Sequence, residues 1–104
     1  MAIETVPFDA SEFLGSQESQ VELLADAFET GDATYIANAL GAVARARGMS
    51  SIAKEAGVTR EALYKALSEK GDPKLSTLLG VMRALGVQLS AKASENHAKE
   101  RLSA

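Results

Sequence analysis

The sequence predicts a single all-α domain of five or six helices, with or without a short C-terminal strand, and three observations support this. Alanine and leucine supply 31 of the 104 residues, whereas valine, isoleucine and threonine, which favour strands, supply 14. Apolar residues recur three and four positions apart, as on one face of a helix. Most glycines follow such a segment directly, where a helix ends. A chain of this length can bury one core without metal or disulfide support.

The first three helices are predicted from their caps and apolar spacing. Asp9 can cap a short helix that runs through Leu14 before Gly15. Ser16 begins a second helix that runs to about Thr30. Its apolar positions are Val21, Leu24 and Phe28. Asp32 caps a third helix that ends before Gly48. Its apolar positions are Ile36, Leu40 and Val43.

Three shorter helices follow. Ser50 is predicted to cap a helix that ends at Gly57, and Thr59 to cap a fifth helix through about Ser68. A turn at 71–73 leads into the sixth helix, which Gly86 ends. Its predicted core stripe is Leu75, Leu78, Leu79, Met82 and Leu85. Gly41 and Gly80 lie inside helices, which indicates close contact with a neighbouring helix.

The two ends of the chain differ from its middle. Residues 87–91 alternate between apolar and polar, which indicates a short strand that would need a second copy or another protein to pair with. The domain organisation is therefore an N-terminal arm at 1–8, a helical domain at 9–89 with a helix-turn-helix at 50–68, and a polar tail at 90–104.

Composition excludes several classes of function. The chain has no cysteine and one histidine, His97, so we expect no zinc site, no other metal or cofactor, and no thiol chemistry. No motif sets a nucleophile beside a base, which argues against an enzyme. The longest uncharged stretch is too short for a bilayer, and the acidic N-terminus lacks a signal peptide's basic start. We therefore expect a cytoplasmic protein with no membrane partner.

Charge is divided unevenly along the chain. Residues 1–32 hold eight acids and no lysine or arginine, whereas residues 33–104 hold all 11 bases and six acids. The net charge of −3 therefore conceals an acidic and a basic part. Such asymmetry indicates two different partners, although solvated helix faces would produce the same pattern.

Residues 49–68, MSSIAKEAGVTREALYKALS, have the spacing of a helix-turn-helix, with Gly57 at the turn. Five residues are predicted to face inward: Ile52, Ala53, Val58, Leu63 and Leu67. Four are predicted to face outward near the start of the second helix: Arg60, Glu61, Tyr64 and Lys65. Such side chains can contact bases and phosphates in the major groove. An αα-hairpin that never meets DNA is the alternative.

The segment ARARGMS followed by AGVTREALYKALS resembles the addiction-module antidote proteins, a branch of the lambda-repressor-like (XRE-type) helix-turn-helix group, and the resemblance runs from about Phe8 to Leu89. It implies a homodimeric antitoxin of a type II toxin-antitoxin system that neutralises a RelE-like toxin, binds double-stranded DNA at its own promoter and represses its own operon. The resemblance places Thr59, Arg60, Glu61, Tyr64 and Lys65 on the recognition helix. It places Ser50 and Ser51 at the phosphate-facing start of the preceding helix.

Two hypotheses follow. The first is a sequence-specific DNA-binding antitoxin and autorepressor, and the second is a protein-binding regulatory module that keeps the helix-turn-helix as a scaffold. We expect the homodimer to form around the sixth helix and the strand at 87–91. We expect a basic protein, the toxin, to bind the acidic N-terminal third, where Phe8, Phe13 and Leu14 could anchor the contact.

Overall fold

The computed structural model describes residues 15–94, and this part of the chain is all-helical. Its five helices are α1 (Gln17–Thr30), α2 (Ala33–Arg47), α3 (Met49–Ala56), α4 (Arg60–Ala66) and α5 (Leu75–Leu85). They correspond to the second to sixth predicted helices, so the all-α prediction is confirmed. The short helix predicted between Asp9 and Leu14 and most of the polar tail lie outside the described residues.

Side-chain caps begin α1 and α2, which pack against each other. The hydroxyl of Ser16 accepts a hydrogen bond from the Ser19 amide at 3.2 Å and begins α1. Gly31, with φ of 71°, ends that helix. The carboxylate of Asp32 then accepts from the Thr34 amide at 3.0 Å and begins α2. The predicted boundaries of these two helices are confirmed.

A hydrogen bond between side chains also joins α1 to α2. The Tyr35 hydroxyl donates to Asp26 Oδ2 at 2.5 Å. This bond raises the pKa of Tyr35 above its ordinary value of 10.0, and desolvation and the charge of Asp26 raise it further. Because the folded state holds this proton more tightly than the unfolded state, the contact stabilises the fold at neutral pH. That contribution is lost only as the pH rises through the raised pKa.

The core lies where α3 meets α2, α4 and α5, and it extends to the side of α2 on which α1 packs. Its most completely buried large side chains are Leu24, Leu40, Leu63, Leu85, Val43 and Val81. At two positions an added methyl group would crowd a backbone oxygen of a neighbouring segment. A Cβ on Gly80 of α5 would lie 3.1 Å from the Ala56 carbonyl oxygen, and a Cβ on Gly41 of α2 would lie 3.1 Å from that of Leu67. The close contacts predicted at both glycines are confirmed.

The predicted cap of the fourth helix is wrong. Helix α3 begins at Met49, one residue before Ser50, and no side chain caps it. The reason is the short connection, because α2 continues to Arg47 and only Gly48, with φ of 111°, separates the two helices. Ser50 is therefore the second residue of α3 and remains exposed in its first turn.

The predicted core stripe of α5 is partly wrong. Met82 and Leu85 are buried and Leu78 is half-buried, but Leu75 is 66% exposed and Leu79 42% exposed. Val81, which the stripe omitted, is fully buried. Because α3 packs closely at Gly80, the buried face of α5 is turned toward Gly80 and Val81. Leu75 and Leu79 consequently lie at the exposed edge of the stripe. Val21, which the sequence places on the apolar stripe of α1, is 39% exposed.

The strand predicted at Val87–Ala91 is not formed in the described part of the chain. Residues 87–94 have neither helix nor strand. The Val87 amide instead donates to the Met82 carbonyl at 3.0 Å and closes the end of α5. A strand requires a neighbouring extended segment, and residues 15–94 provide none.

None of the described helices has both the length and the apolar character needed to cross a bilayer.

Candidate nucleic-acid interface

Helices α3 and α4 are joined by three residues, 57–59, in a helix-turn-helix arrangement. Gly57 adopts φ of 79°, a left-handed conformation that a residue with a Cβ rarely adopts. The Val58 amide donates to the Ala53 carbonyl at 3.0 Å, which fixes the turn against α3. The Thr59 hydroxyl accepts from the Ala62 amide at 3.0 Å and begins α4. The predicted cap at Thr59 is confirmed.

The inward face of this unit is also as predicted. Ile52, Ala53, Leu63 and Leu67 are buried, and Val58 is half-buried against the core. Leu63 is the single buried residue within α4. The side of α4 that carries Leu63 therefore holds the helix against the core, and its other positions are available for contacts with a partner.

All seven residues proposed from the sequence are exposed. Five lie at the turn and along α4: Thr59, Arg60, Glu61, Tyr64 and Lys65. The other two, Ser50 and Ser51, lie in the first turn of α3. Tyr64 is 40% exposed, although an aromatic ring in a small helical domain is often used to fill the core. The chain thus presents a large amphipathic side chain to solvent between two bases.

Arg60 and Tyr64 contact each other on the exposed face of α4. The Arg60 guanidinium carbon lies 5.3 Å from the centroid of the Tyr64 ring, which is within range of a cation–π interaction. Arg60 Nη2 also lies 3.4 Å from the Tyr64 hydroxyl, to which it donates. Both residues are predicted from the sequence to lie on the exposed face, but the contact between them is not. The spacing of four residues, which places two side chains together on a helix, is the signal that could have predicted it.

Charge around this unit favours an anionic partner. Residues 45–83 contain eight bases and four acids, whereas α1 contains four acids and no base. The basic part includes the helix-turn-helix, and the acids of α1 lie on a different helix. Within residues 15–94, no group of His, Asp or Glu side chains is arranged to hold a metal ion. The exposed face can therefore provide cationic, hydroxyl and aromatic contacts, which are those used on nucleic acids.

Comparison with known proteins identifies the family. Over residues 4–93 the chain matches the family described as "Probable addiction module antidote protein". It is similar to an uncharacterized protein of Haemophilus influenzae, with 44% identity over 87 residues that cover 84% of this chain and 90% of the relative. No solved structure gives a significant match. Because the family match spans most of the sequence, the chain belongs to the probable addiction module antidote proteins.

Proposed function

We propose that this protein is a cytoplasmic, sequence-specific DNA-binding antitoxin that neutralises a RelE-like toxin and represses its own operon. Family membership supports the antitoxin role. The observation that carries the DNA-binding part is the exposed face of α4, where Arg60, Tyr64 and Lys65 point away from a side fixed by Leu63. In lambda-repressor-like domains the corresponding helix enters the major groove. In this proposal Thr59 and the first turn of α3 contact phosphates.

Salt-dependent binding to the DNA upstream of the gene tests the proposal. Neutralising even two phosphates should lower affinity by ~10-fold between 50 and 200 mM salt, because bound counterions are released. The measurement is a fluorescence-anisotropy titration of the upstream duplex, with a scrambled duplex of equal length as the control. Equal affinity for the two duplexes at every salt concentration would overturn sequence-specific reading.

The second candidate function is a protein-binding regulatory module. The exposed apolar side chains Leu75, Leu79 and Leu89 favour it, because such residues on a small domain mark protein contacts. The two candidates differ in one result. The module would bind the toxin and show no preference for the upstream duplex, whereas the DNA-binding antitoxin would do both.

We further propose a homodimer in which the exposed edge of α5 at Leu75 forms the contact. A two-fold dimer places two recognition helices on half-sites ~34 Å apart, which one small domain cannot span. Leu75→Glu is expected to halve the mass measured by light scattering at micromolar concentration, because it buries a charge in the contact. Val21→Glu, at an exposed apolar position on α1, is the matched control and should leave the mass unchanged. A parent protein that is already monomeric contradicts this prediction.

The acidic N-terminal third is proposed to bind the toxin. Four acids, Glu18, Glu22, Asp26 and Glu29, lie on α1, and four more belong to the rest of residues 1–32. This surface would attract a cationic ribonuclease and speed its encounter.

Deleting residues 1–15 leaves Ser16, the cap of α1, in place, so the described helices should still form. We expect the deletion to weaken toxin binding at least ~10-fold, measured by calorimetry, because the apolar anchors Phe8, Phe13 and Leu14 are lost. Circular dichroism checks that the helical content is retained. Unchanged affinity would show that the toxin binds another surface.

A further inference from the structure

A shallow apolar groove lies beside the C-terminal end of α5. Its volume is about 420 Å³, and its lining includes Leu79, Met82, Val87 and Leu89, with Arg83 among them. Leu79 is 42% exposed and Leu89 37% exposed, so these apolar side chains face the open groove. Apolar surface of this kind on a small domain indicates that another segment covers it.

The first described helix, α1, begins at the edge of this groove. A Cβ on Gly86, which lines the groove, would lie 3.6 Å from Nε2 of Gln17, the first residue of α1. Residues 1–14 therefore precede a point beside the groove. From Leu79 to Gly86 the helix rises about 10 Å, a distance that four extended residues can span. Fourteen residues are more than enough to follow the groove.

Charge favours this segment over a second copy of the groove face. The residues that line the groove include one base, Arg83, and no acid. Two grooves brought face to face would place Arg83 against its copy, whereas a dimer contact at Leu75 lies outside the groove lining. Residues 1–14 have the complementary character, because they carry three acids, no base, and the apolar residues Ile3, Val6, Phe8, Phe13 and Leu14.

We propose that residues 1–14 bind the groove of their own chain, with their apolar side chains against Leu79, Val87 and Leu89 and their acids near Arg83. Because α5 packs on α3, the bound segment would lie against the helix that supports the DNA-binding unit. If the toxin binds the same segment, as proposed above, the toxin and the groove compete for it. The competition with the toxin rests on the proposed function. The binding of residues 1–14 to the groove does not.

The absence of cysteine from the sequence makes a direct test possible in the full-length chain. Ser11→Cys carries a single nitroxide spin label, and methyl NMR signals are recorded with the label oxidised and reduced. We expect the label to reduce the signals of Leu79, Val87 and Leu89 at least twofold and to leave that of Leu63, on α4, unchanged. Equal intensities in the two states overturn the proposal.

A mixed sample shows whether the segment in the groove belongs to the same chain or to a second copy. Spin-labelled chain without isotopes is added to isotope-labelled parent chain, so that only contacts between chains reduce the signals. We expect a smaller reduction in this sample than within one chain, because the proposed homodimer brings the label of one copy near α5 of the other without placing the segment in its groove. A reduction as large as that within one chain overturns the proposal in favour of exchange of the segment between two copies. Neither sample contains DNA or toxin, so failure here leaves the proposed function untouched.

Charge reversal tests the chemistry of the contact. Arg83→Glu should restore most of the lost methyl intensity in the spin-labelled chain, because the acids of the segment then face an acid. Combining it with Glu12→Arg should re-establish the reduction. Lys54→Glu, which changes the same charge at an exposed site on α3, is the matched control and should have no effect. A response of Lys54→Glu equal to that of Arg83→Glu would overturn specific binding at the groove.

Discussion

Replacing Arg60 by alanine is expected to weaken binding to the upstream DNA ~5- to 150-fold, equivalent to about 1–3 kcal/mol, while non-specific binding falls less. Arg60 is the first residue of α4 and is exposed. Its guanidinium is held over the Tyr64 ring. In the proposed function it would therefore bind a guanine edge with less loss of side-chain freedom than an unsupported arginine. Anisotropy titrations on the specific and scrambled duplexes measure both effects.

Two variants of Tyr64 would distinguish positioning of Arg60 by the ring from direct contact of the Tyr64 hydroxyl with DNA. Tyr64→Phe keeps the ring beneath the guanidinium and removes only the hydroxyl, whereas Tyr64→Ala removes both. If Tyr64 acts by positioning Arg60, Tyr64→Phe binds nearly as well as the parent. The loss of DNA-binding free energy in the double variant Arg60→Ala/Tyr64→Ala should then be smaller than the sum of the two single losses. If the hydroxyl itself contacts DNA, Tyr64→Phe loses as much affinity as Tyr64→Ala.

Glu61 is expected to behave differently from its neighbours. A carboxylate near the groove is repelled by phosphate unless it accepts a hydrogen bond from a cytosine amino group. Glu61→Ala should therefore reduce the preference for the specific duplex more than it reduces affinity. Lys92→Ala, an exposed base after α5, is the control for a general change in charge. If Arg60→Ala, Tyr64→Ala and Lys65→Ala all bind like the parent, α4 does not read DNA and the protein-binding function takes its place.

The features that could be predicted from the sequence are those set by local contacts. Ser16, Asp32 and Thr59 cap their helices through hydrogen bonds to amides two or three residues away, so neighbouring residues alone determine them. The inward and outward faces of the helix-turn-helix follow from helical periodicity. The exposed positions of the proposed site could be predicted for the same reason.

The features that could not be predicted depend on neighbours distant in the sequence. The stripe on α5 is wide enough to be buried along either edge, and the contact of Gly80 with Ala56 decides which. The alternating residues at 87–91 fit a strand, but strand formation depends on a partner segment that residues 15–94 lack. The stacking of Arg60 on Tyr64 depends on side-chain rotamers, which spacing permits but does not determine.

Leu63→Ala should lower the free energy of unfolding by about 2–5 kcal/mol, a large part of the total for a domain of this size. Leu63 is fully buried, and no other residue within α4 is buried. Alanine favours helix at least as well as leucine, so the loss comes from packing rather than from helix propensity. A helix of seven residues is not stable alone, which makes α4 dependent on this contact.

Lys65→Ala is the matched control for Leu63→Ala, because it truncates a long side chain on the exposed face of the same helix. Its effect on stability should stay within about 0.5 kcal/mol. The two variants are therefore expected to separate stability from DNA binding. Leu63→Ala should shift the urea midpoint and lose DNA binding on mild warming, whereas Lys65→Ala should weaken DNA binding at an unchanged midpoint. Equal urea midpoints for Leu63→Ala and the parent would show that the core does not hold α4 through this side chain.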